Sequence, residues 1–359
     1  MHLMDKIINT DGFRMPAEWE KQNSTWLAWP HNKNDWPGLF AKIPSVFREI
    51  IFHISKYQKV NLLVQDEKQI IKIQKYLIQK NIKLGMVTIH VVPTNRVWTR
   101  DTGPIYLINK KKKKKILLNW GFNAWAKYKD YQYDNMVPLH ISNIQNMQSI
   151  TPMIKIKNKY MPFTLEGGSI DVNGEGTLIT TKECLLGKVQ QRNPGVSKKK
   201  IENTISKYLN IKKFIWLNKG IVGDDTHGHV DDITRFFSTN KIFTAIEHDK
   251  RDKNFLTLKE NIKILEKSTN QDNKNNEIVE IPMPKPLFIK RTRVPASYLN
   301  FYFANNIVLV PIFNDNNDDI ALNIIQKNIP NKKIIPINCK DLIWGFGAIH
   351  CMTQQEPSV

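Results

Sequence analysis

A recurring order of apolar strands and amphipathic helices constrains the fold of this chain more than any other feature. Apolar residues three and four positions apart predict helices at residues 198–209 and 254–267. A short apolar strand follows each helix, at residues 214–217 and 277–281. Paired strands, such as the one at residues 176–180, precede the helices. The repeated unit is strand, strand, helix, strand, which predicts an α/β architecture.

The same unit is indicated elsewhere by less regular patterns. The other predicted helices lie at residues 43–57, 68–79 and 319–327. The other predicted strands lie at residues 25–29, 60–64, 87–92, 307–311 and 333–336. Residues 268–276 are uniformly polar, which is typical of a surface loop and not of a domain linker. Because no change in composition divides the chain, we expect one domain over residues 1–359.

Composition restricts the class of protein. Hydrophobic residues make up 41% of the 359 positions and aromatic residues 10%, which is enough for a sizeable core and excludes wholesale disorder. No apolar run approaches the ~18 residues that a membrane helix needs, and the first residues lack the apolar core of a signal peptide. The three cysteines are odd in number and widely spaced, so we expect a reducing, cytoplasmic setting.

The net charge of +20 raises the alternative of a nucleic-acid-binding protein. The lysines are spread along the chain, and no arginine cluster is interleaved with aromatic residues. The one long run, residues 110–115, lies between apolar segments at 105–108 and 116–120, which predicts a charged hairpin connection. A nucleic-acid partner is therefore the weaker interpretation.

A cysteine near the end of the chain is a candidate nucleophile. Gly345 and Gly347 flank Phe346, and glycine allows left-handed backbone and close approach to a ligand. Cys351 follows His350 in the same segment. A thiol on such a loop becomes a nucleophile when a nearby base or cation favours the thiolate. The alternative is a small apolar residue in a core strand.

Two acidic motifs lie at strand ends. Asp101 follows the strand at 87–92 and precedes a Gly-Pro turn, where a carboxylate either caps local N–H groups or faces a ligand. Glu166 precedes Gly167 and Gly168, so that no Cβ crowds the carboxylate. A tight turn with a solvated glutamate is the alternative for this second motif.

A third motif combines histidines with acids between residues 220 and 232. If the backbone is extended there, His229 and Asp231 share one face and His227 joins them. Imidazole and carboxylate ligands first suggest Mn²⁺ or Zn²⁺. The alternative uses Asp231 to bind a cationic substrate and His229 to transfer protons.

The combined residue types favour chemistry on a planar cation. A guanidinium has five N–H donors in a fixed fork and pairs bidentately with carboxylates. Two such pairs would hold its central carbon for attack by a thiolate, while a histidine protonates the departing nitrogen and later deprotonates water. A bound cation also lowers the pKa of a nearby thiol. This scheme needs no metal or other cofactor.

Several segments of the sequence resemble those of a known family. The matching segments are RMPAEW from Arg14, WTRDTGP from Trp98, LEGG from Leu165, GDDT from Gly223 with HVD from His229, PASYLNFY from Pro295, and IHCMTQQ from Ile349. They span nearly the whole chain and resemble the agmatine deiminases of the guanidino-group modifying (pentein) superfamily. The resemblance implies a five-bladed α/β propeller of ββαβ units. It also implies hydrolysis of agmatine to N-carbamoylputrescine and ammonia, on the route to putrescine.

The resemblance also implies roles for individual residues. Cys351 matches the nucleophile that forms an amidino-cysteine intermediate, and His229 matches the general acid and base. Asp101 and Asp231 match the pair that binds the guanidinium. Glu166 matches the carboxylate that supports both this grip and the histidine. No metal ligand is implied.

Four further residues qualify the resemblance. Trp98 is expected to wall the substrate pocket. Phe346 and Ala348 stand where the family has glycine or asparagine, which puts substrate preference and rate in question more than reaction type. His227 matches no family role.

Three alternative functions are compatible with the sequence. A deiminase of free or peptidyl arginine would need a cation for the carboxylate or peptide group, and Arg291 and Arg293 are the candidates. A manganese ureohydrolase would release urea in place of ammonia. A basic RNA-binding protein with a degenerate site is the third. A small guanidino compound is the expected partner, a membrane is not, and a homo-oligomer is compatible with each interpretation.

Overall fold

The computed structural model describes residue 10 and residues 12–359. The first nine residues and residue 11 of the predicted domain lie outside this range. Within it, the predicted unit of two antiparallel strands, a helix and a parallel strand is confirmed and occurs five times.

The elements are numbered in chain order. The strands are β1 (Gln22–Ala28), β2 (Lys59–Val64), β3 (Val87–Val91), β4 (Ile105–Asn109), β5 (Lys114–Leu118), β6 (Ser149–Ile150), β7 (Met153–Ile156), β8 (Lys159–Pro162), β9 (Ile170–Val172), β10 (Thr177–Thr181), β11 (Lys213–Leu217), β12 (Thr234–Ser238), β13 (Lys241–Ile246), β14 (Glu277–Pro282), β15 (Phe288–Ile289), β16 (Thr292–Arg293), β17 (Tyr302–Ala304), β18 (Ile307–Ile312), β19 (Lys333–Asn338) and β20 (Gln354–Pro357). The helices are α1 (Ile43–Ile54), α2 (Glu67–Ile78), α3 (Thr99–Thr102), α4 (Gln132–Ile144), α5 (Lys182–Leu186), α6 (Lys198–Leu209), α7 (Phe255–Glu266) and α8 (Asp318–Asn328).

Each unit forms one small sheet. Four sheets have the strand orders β4-β5-β6, β9-β10-β11, β12-β13-β14 and β17-β18-β19. In each of them the first two strands are antiparallel and the third is parallel to the second. A helix lies between the second and third strands because a parallel pair needs a crossover connection.

The fifth sheet joins the two ends of the described chain. Strand β20 pairs antiparallel with β1, with Gln354 opposite Trp26 and Pro357 opposite Gln22. Strands β2 and β3 continue this sheet in parallel. The C-terminal strand thus supplies the first strand of the unit that β1, α1 and β2 complete.

The helices follow the predicted apolar periodicity. In α6 the buried side chains include Ile201, Ile205 and Leu209, which recur every four residues and pack on the sheet. The hydroxyl of Ser197 accepts a hydrogen bond from the backbone N–H of Lys200 and caps the N-terminus. The helix therefore begins and ends where the sequence predicts.

Some elements differ from the prediction. Helix α4 was not predicted because Pro138 and several polar residues interrupt its pattern. The charged hairpin connection is confirmed, since β4 pairs antiparallel with β5, although β5 already begins at Lys114. Among the described helices, none has the length and apolar character needed to cross a membrane.

A buried ionic cluster connects strands β9 and β12 with the segments that precede β1, β4 and β20. Arg235 is fully buried, and its guanidinium contacts Glu18 at 3.0 Å and Asp171 at 2.6 Å. Glu18 also contacts Arg100 at 3.1 Å and His350 at 2.7 Å. Burial alone would raise the pKa of Glu18, but Arg235 and His350 hold it well below its ordinary value.

We expect Glu18→Gln to lower the free energy of unfolding by about 3 kcal/mol, because two buried arginines would lose their shared counter-charge. Urea denaturation measures the change. The control is Glu277→Gln, whose partner Lys241 is well exposed, and it should cost less than about 1 kcal/mol. Equal effects of the two substitutions would contradict the importance of the ionic cluster.

Candidate active site

The candidate residues lie at equivalent places in successive units. Asp101 is in α3 just before β4, and Glu166 lies just before β9. His229 and Asp231 lie just before β12, and Cys351 lies just before β20. The segment that enters each sheet therefore carries the side chain, which is why residues far apart in sequence converge.

His229 lies at the centre of the cluster. Its Nδ1 is 3.9 Å from Asp101 Oδ2 and 3.9 Å from Asp231 Oδ1. Its Nε2 is 3.8 Å from Glu166 Oε2. The Sγ of Cys351 is 3.8 Å from Asp231 Oδ2. The structure thus brings the sulfur, the imidazole and three carboxylates to one point.

Several polar atoms in this cluster have no hydrogen-bond partner among the described residues. They are Glu166 Oε2, Asp231 Oδ1 and both ring nitrogens of His229, and all are buried. Such atoms are costly unless a ligand satisfies them. The unpaired carboxylate oxygens require a donor, so the arrangement is suited to a cation with several N–H groups.

Gly168 allows these groups to approach one another. A Cβ at this position would lie 2.6 Å from His229 Nδ1, 2.9 Å from Asp101 Oδ1 and 3.0 Å from Asp231 Oδ2. The backbone N–H of Gly168 donates to Asp101 Oδ1 at 3.0 Å, and the indole of Trp125 donates to Asp101 Oδ2 at 2.9 Å. Asp101 is therefore oriented from both sides, and its side chain does not cap its own turn.

Asn300 positions the sulfur. Its Nδ2 lies 3.1 Å from Cys351 Sγ and donates to Asp232 Oδ1 at 2.9 Å. Its Oδ1 accepts from the backbone N–H of His350 at 3.0 Å and of Cys351 at 3.3 Å. Asn300 precedes β17, so the remaining unit also contributes to the site. The prediction missed Asn300, although it lies in one of the matching segments.

His350 links Asp231 to the ionic cluster of Glu18 and Arg235. Its Nδ1 lies 2.6 Å from Asp231 Oδ2, and its Nε2 lies 2.7 Å from Glu18 Oε2. Burial raises the pKa of Asp231, but the hydrogen bond to His350 outweighs burial and keeps the pKa below its ordinary value. Asp231 is accordingly ionised in the free protein.

Arg192 gives Glu166 its charge state. Its Nε lies 3.0 Å from Glu166 Oε1, and both side chains are fully buried. Burial raises the pKa of Glu166, but Arg192 more than compensates and lowers it to about 2. Arg192 lies between α5 and α6 in a segment without a regular pattern, so sequence reasoning gave no signal for it.

The pKa values of Asp101, Cys351 and His229 are raised, in contrast to those of Asp231 and Glu166. Burial raises the pKa of Asp101 to about 6 although His229 opposes this shift. Burial, followed by Asp231 and Asp232, raises the pKa of Cys351 well above its ordinary 9.0. Burial lowers the pKa of His229, but Asp101 raises it to well above 6.5. These directions favour a neutral thiol and a protonated imidazole in the free protein.

A cavity of about 280 Å³ leads to Cys351 and Asp101. Trp98, Trp125, Trp344 and Phe346 are among the residues that line it. Trp98 packs against Gly347, where a Cβ would lie 2.7 Å from the indole ring. Phe346 has a φ of 65°, in the left-handed region, and lines the wall of the cavity. Phe346 therefore contributes to the shape of the cavity in which the alkyl chain of a substrate would lie.

The outer part of the cavity is acidic. Asp35, Asp130 and Asp225 line it together with Arg96. The guanidinium of Arg96 donates to Asp130 Oδ1 at 2.9 Å, and its Nε is 3.9 Å from Asp35 Oδ1. The positive charge of Arg96 is thus matched by two of these acids, and the third, Asp225, contacts Lys127.

Three expectations about individual residues need correction. The segment from His229 to Asp231 is not extended, because residues Val230–Asp232 form a 3-10 turn that brings the two side chains together. His227 has a left-handed φ of 64° and does not line the cavity. Arg293 pairs with Asp252 at 2.9 Å and, like Arg291, lies outside the cavity wall.

Comparison with known proteins assigns the family. Residues 14–357 match the model of the Porphyromonas-type peptidyl-arginine deiminases. The chain belongs to this family. A Legionella pneumophila (strain Paris) protein, whose name assigns it provisionally to the agmatine deiminases, is 35% identical over 351 residues that cover 96% of each chain.

Solved structures support the same assignment. Agmatine deiminase of Enterococcus faecalis is 30% identical, with a TM-score of 0.87 over 98% of this chain and 97% of that chain. A cysteine-to-serine variant of C. jejuni agmatine deiminase with substrate bound is 30% identical, with a TM-score of 0.84 over 96% of each chain. The predicted fold, the five-bladed α/β propeller of the penteins, is confirmed.

We expect Gly168→Ala to reduce kcat/KM by at least about a hundredfold, because the added methyl group would displace His229 and Asp101 from their positions. Steady-state kinetics on a guanidino substrate measures the loss. Gly85→Ala is the matched control, since a Cβ there meets nothing within 4 Å. An active Gly168→Ala variant would contradict the proposed geometry.

We expect Cys351 to react at least about tenfold faster with cationic 2-chloroacetamidine than with neutral 2-chloroacetamide, after correction for their relative rates with free cysteine. One hydrogen bond to a charged group, worth roughly 1.5 kcal/mol, suffices for this factor. Asp101→Asn should remove most of the preference. The rate with chloroacetamide should still increase above pH 9, because the pKa of the free thiol is raised.

Mass spectrometry of the alkylated protein locates the modification, and Cys351→Ala provides the background from Cys184 and Cys339. Equal reactivity of the two reagents would show that the carboxylates do not bind an amidinium beside the sulfur.

Proposed function

We propose that this protein hydrolyses agmatine to N-carbamoylputrescine and ammonia through an amidino-cysteine intermediate on Cys351. The observation that carries the proposal is the set of buried, unpartnered acid and imidazole atoms beside the sulfur. The family and the agmatine deiminase relatives support it. The reaction is a hydrolysis of a guanidino C–N bond and belongs to the synthesis of putrescine.

Substrate binding uses the carboxylates around His229. Asp101 and Asp231 accept hydrogen bonds from the guanidinium nitrogens, and Glu166, held by Arg192, supports this grip and the imidazole. The alkyl chain lies along Trp98 in the cavity wall. The positive charge of the guanidinium lowers the pKa of the adjacent thiol, which releases its proton to solvent.

The first half-reaction forms the covalent intermediate. The thiolate of Cys351 adds to the central guanidinium carbon, and a C–S bond forms. His229 donates its proton to one NH₂ group, the C–N bond breaks, and ammonia leaves. The substrate remains attached to sulfur as an amidinium, and His229 is left neutral.

The second half-reaction restores the enzyme. Neutral His229 takes a proton from water, and the resulting hydroxide adds to the amidinium carbon. The C–S bond breaks as the carbonyl forms, which returns the thiolate and releases N-carbamoylputrescine. The proton of the added hydroxyl group is released to solvent, where ammonia takes up one proton to form ammonium. The two half-reactions are therefore balanced.

The outer cavity favours agmatine over arginine. Agmatine has a primary ammonium at the end opposite its guanidinium, whereas arginine has an α-carboxylate as well. The described cavity wall has three acids, Asp35, Asp130 and Asp225, which tolerate an ammonium. Its arginine, Arg96, is paired with two of them and is not free to bind an α-carboxylate. The deiminase of free or peptidyl arginine remains the second candidate because of the family description.

We propose that residues 1–359 act as one catalytic domain in the cytoplasm. Local acidity at the site outweighs the net charge of +20, because charges beyond roughly 8 Å are screened at physiological salt. Nucleic acid is therefore not the proposed ligand.

We expect the purified protein to release equal amounts of ammonia and N-carbamoylputrescine from agmatine, with a lower kcat/KM on arginine. Urea among the products would indicate a ureohydrolase instead. Cys351→Ala should reduce the rate by at least about a thousandfold, because the nucleophile is removed. An acid-quenched reaction should contain a Cys351 peptide whose mass has increased by that of agmatine minus ammonia.

Cys339→Ala is the matched control because Cys339 is also buried but does not line the cavity. It should retain activity. An active Cys351→Ala variant would refute the covalent mechanism. Preference for arginine would refute the assignment of agmatine, and salt-sensitive RNA binding without turnover would favour the nucleic-acid alternative.

A further inference from the structure

We propose that Glu166, Cys184 and His229 form a site for a divalent transition-metal ion such as Zn²⁺, which excludes the substrate. Cys184 is the one of these residues that the proposed mechanism does not use. One donor atom from each of the three lies within 4.8 Å of the others. The inhibitory consequence rests on the proposed function, whereas metal binding does not.

The three donors suit a tetrahedral ion. Thiolate, imidazole and carboxylate are the ligands of Zn²⁺ in proteins, and ligand atoms around it lie roughly 3.5 Å apart. Glu166 Oε2 and His229 Nε2 are 3.8 Å apart, and within residues 12–359 neither has a hydrogen-bond partner. The two residues and Cys184 are at most 1% exposed.

Cys184 is held rigidly beside His229. The hydroxyl of Thr181 accepts a hydrogen bond from the backbone N–H of Cys184 at 3.0 Å and caps α5. The same hydroxyl donates to the carbonyl of Gly228, the residue before His229, at 2.5 Å. The backbone segments that carry the thiol and the imidazole are thus joined to each other through Thr181.

Arg192 completes the surroundings of the site. It binds Glu166 through Oε1 and leaves Oε2 directed towards His229. Hydrogen bonds of this kind orient carboxylate ligands and strengthen metal sites. The charge of Arg192 is offset by Glu166 itself and, on metal binding, by the thiolate of Cys184.

A second cluster in the same region is less suitable. Asp231, Asp232 and Cys351 also place donor atoms within 4.8 Å of one another. One oxygen of each acid is already engaged, because Asp231 Oδ2 bonds to His350 and Asp232 Oδ1 accepts from Asn300. This cluster also contains no histidine. The set with Cys184 is therefore the preferred site.

A metal at this place would remove two groups from catalysis. His229 could not transfer protons while its nitrogen is coordinated, and Glu166 could not support the guanidinium. We therefore expect Zn²⁺ to inhibit, and agmatine to protect against inhibition. The cysteine makes the site responsive to thiophilic ions in particular.

The experiment uses the full chain after removal of metals by a chelator, with Co²⁺ as a spectroscopic probe. We expect Co²⁺ to produce a sulfur-to-cobalt charge-transfer absorption in the wild type and in Cys351→Ser. The absorption should be absent in Cys184→Ser. Cys184→Ala serves as a second variant, and circular dichroism establishes that each variant is folded.

An absorption that persists in Cys184→Ser, one that is lost in Cys351→Ser, or none in the wild type would each overturn the proposal. For inhibition, the Zn²⁺ concentration giving half activity on agmatine should increase at least about tenfold in Cys184→Ser. An unchanged value would also overturn it. A wild type without activity on agmatine would refute the proposed function, while the absorption would still decide the metal site.

Discussion

The burial of several carboxylates at one point is the constraint on which this structure depends. Asp101, Glu166 and Asp231 surround one imidazole, and each would repel the others strongly in a medium of low polarity. Each is stabilised by a different neighbour: two N–H donors hold Asp101, a buried arginine holds Glu166, and His350 holds Asp231. This compensation leaves some oxygen atoms without partners. Within the described part of the chain, the free protein therefore has buried carboxylate oxygens without hydrogen-bond donors. A planar cation supplies such donors, so the charge and shape of the ligand determine selectivity.

The architecture provides this convergence by repetition. Each of the five sheets is preceded by a short loop or helical turn. Each of these segments contributes polar side chains to the same place: Asp101, Glu166, His229 with Asp231, Asn300 and Cys351. Because the contributions come from separate units, the nucleophile, the proton carrier and the acids are oriented independently. The ionic cluster around Arg235 and Glu18 contacts Asp231 through His350.

Much of the fold was predictable because strands and helices alternate with clear apolar periodicity, as in α6 and α7. Helix α4 was hidden by Pro138, and β20 was hidden because its residues, Gln354 to Pro357, are polar and become buried only when they pair with β1. The motifs around Cys351 and His229 combined rare residue types that indicated chemistry. Arg192 could not be predicted, since its role depends on a contact with Glu166 across an irregular segment. The charge states could not be predicted either, because they depend on burial and on distances between units.

The strand β20 has a consequence for the way in which this protein loses activity. It lies between the sulfur-bearing turn and β1, and its pairing with β1 closes the circle of sheets. If thermal fraying opened this seam, the thiol would move away from its acids while the other four sheets kept their internal pairing. Such a molecule would keep nearly all of its helical structure and yet be inert. The rate at which Cys351 reacts with cationic reagents would therefore report whether β20 is paired with β1.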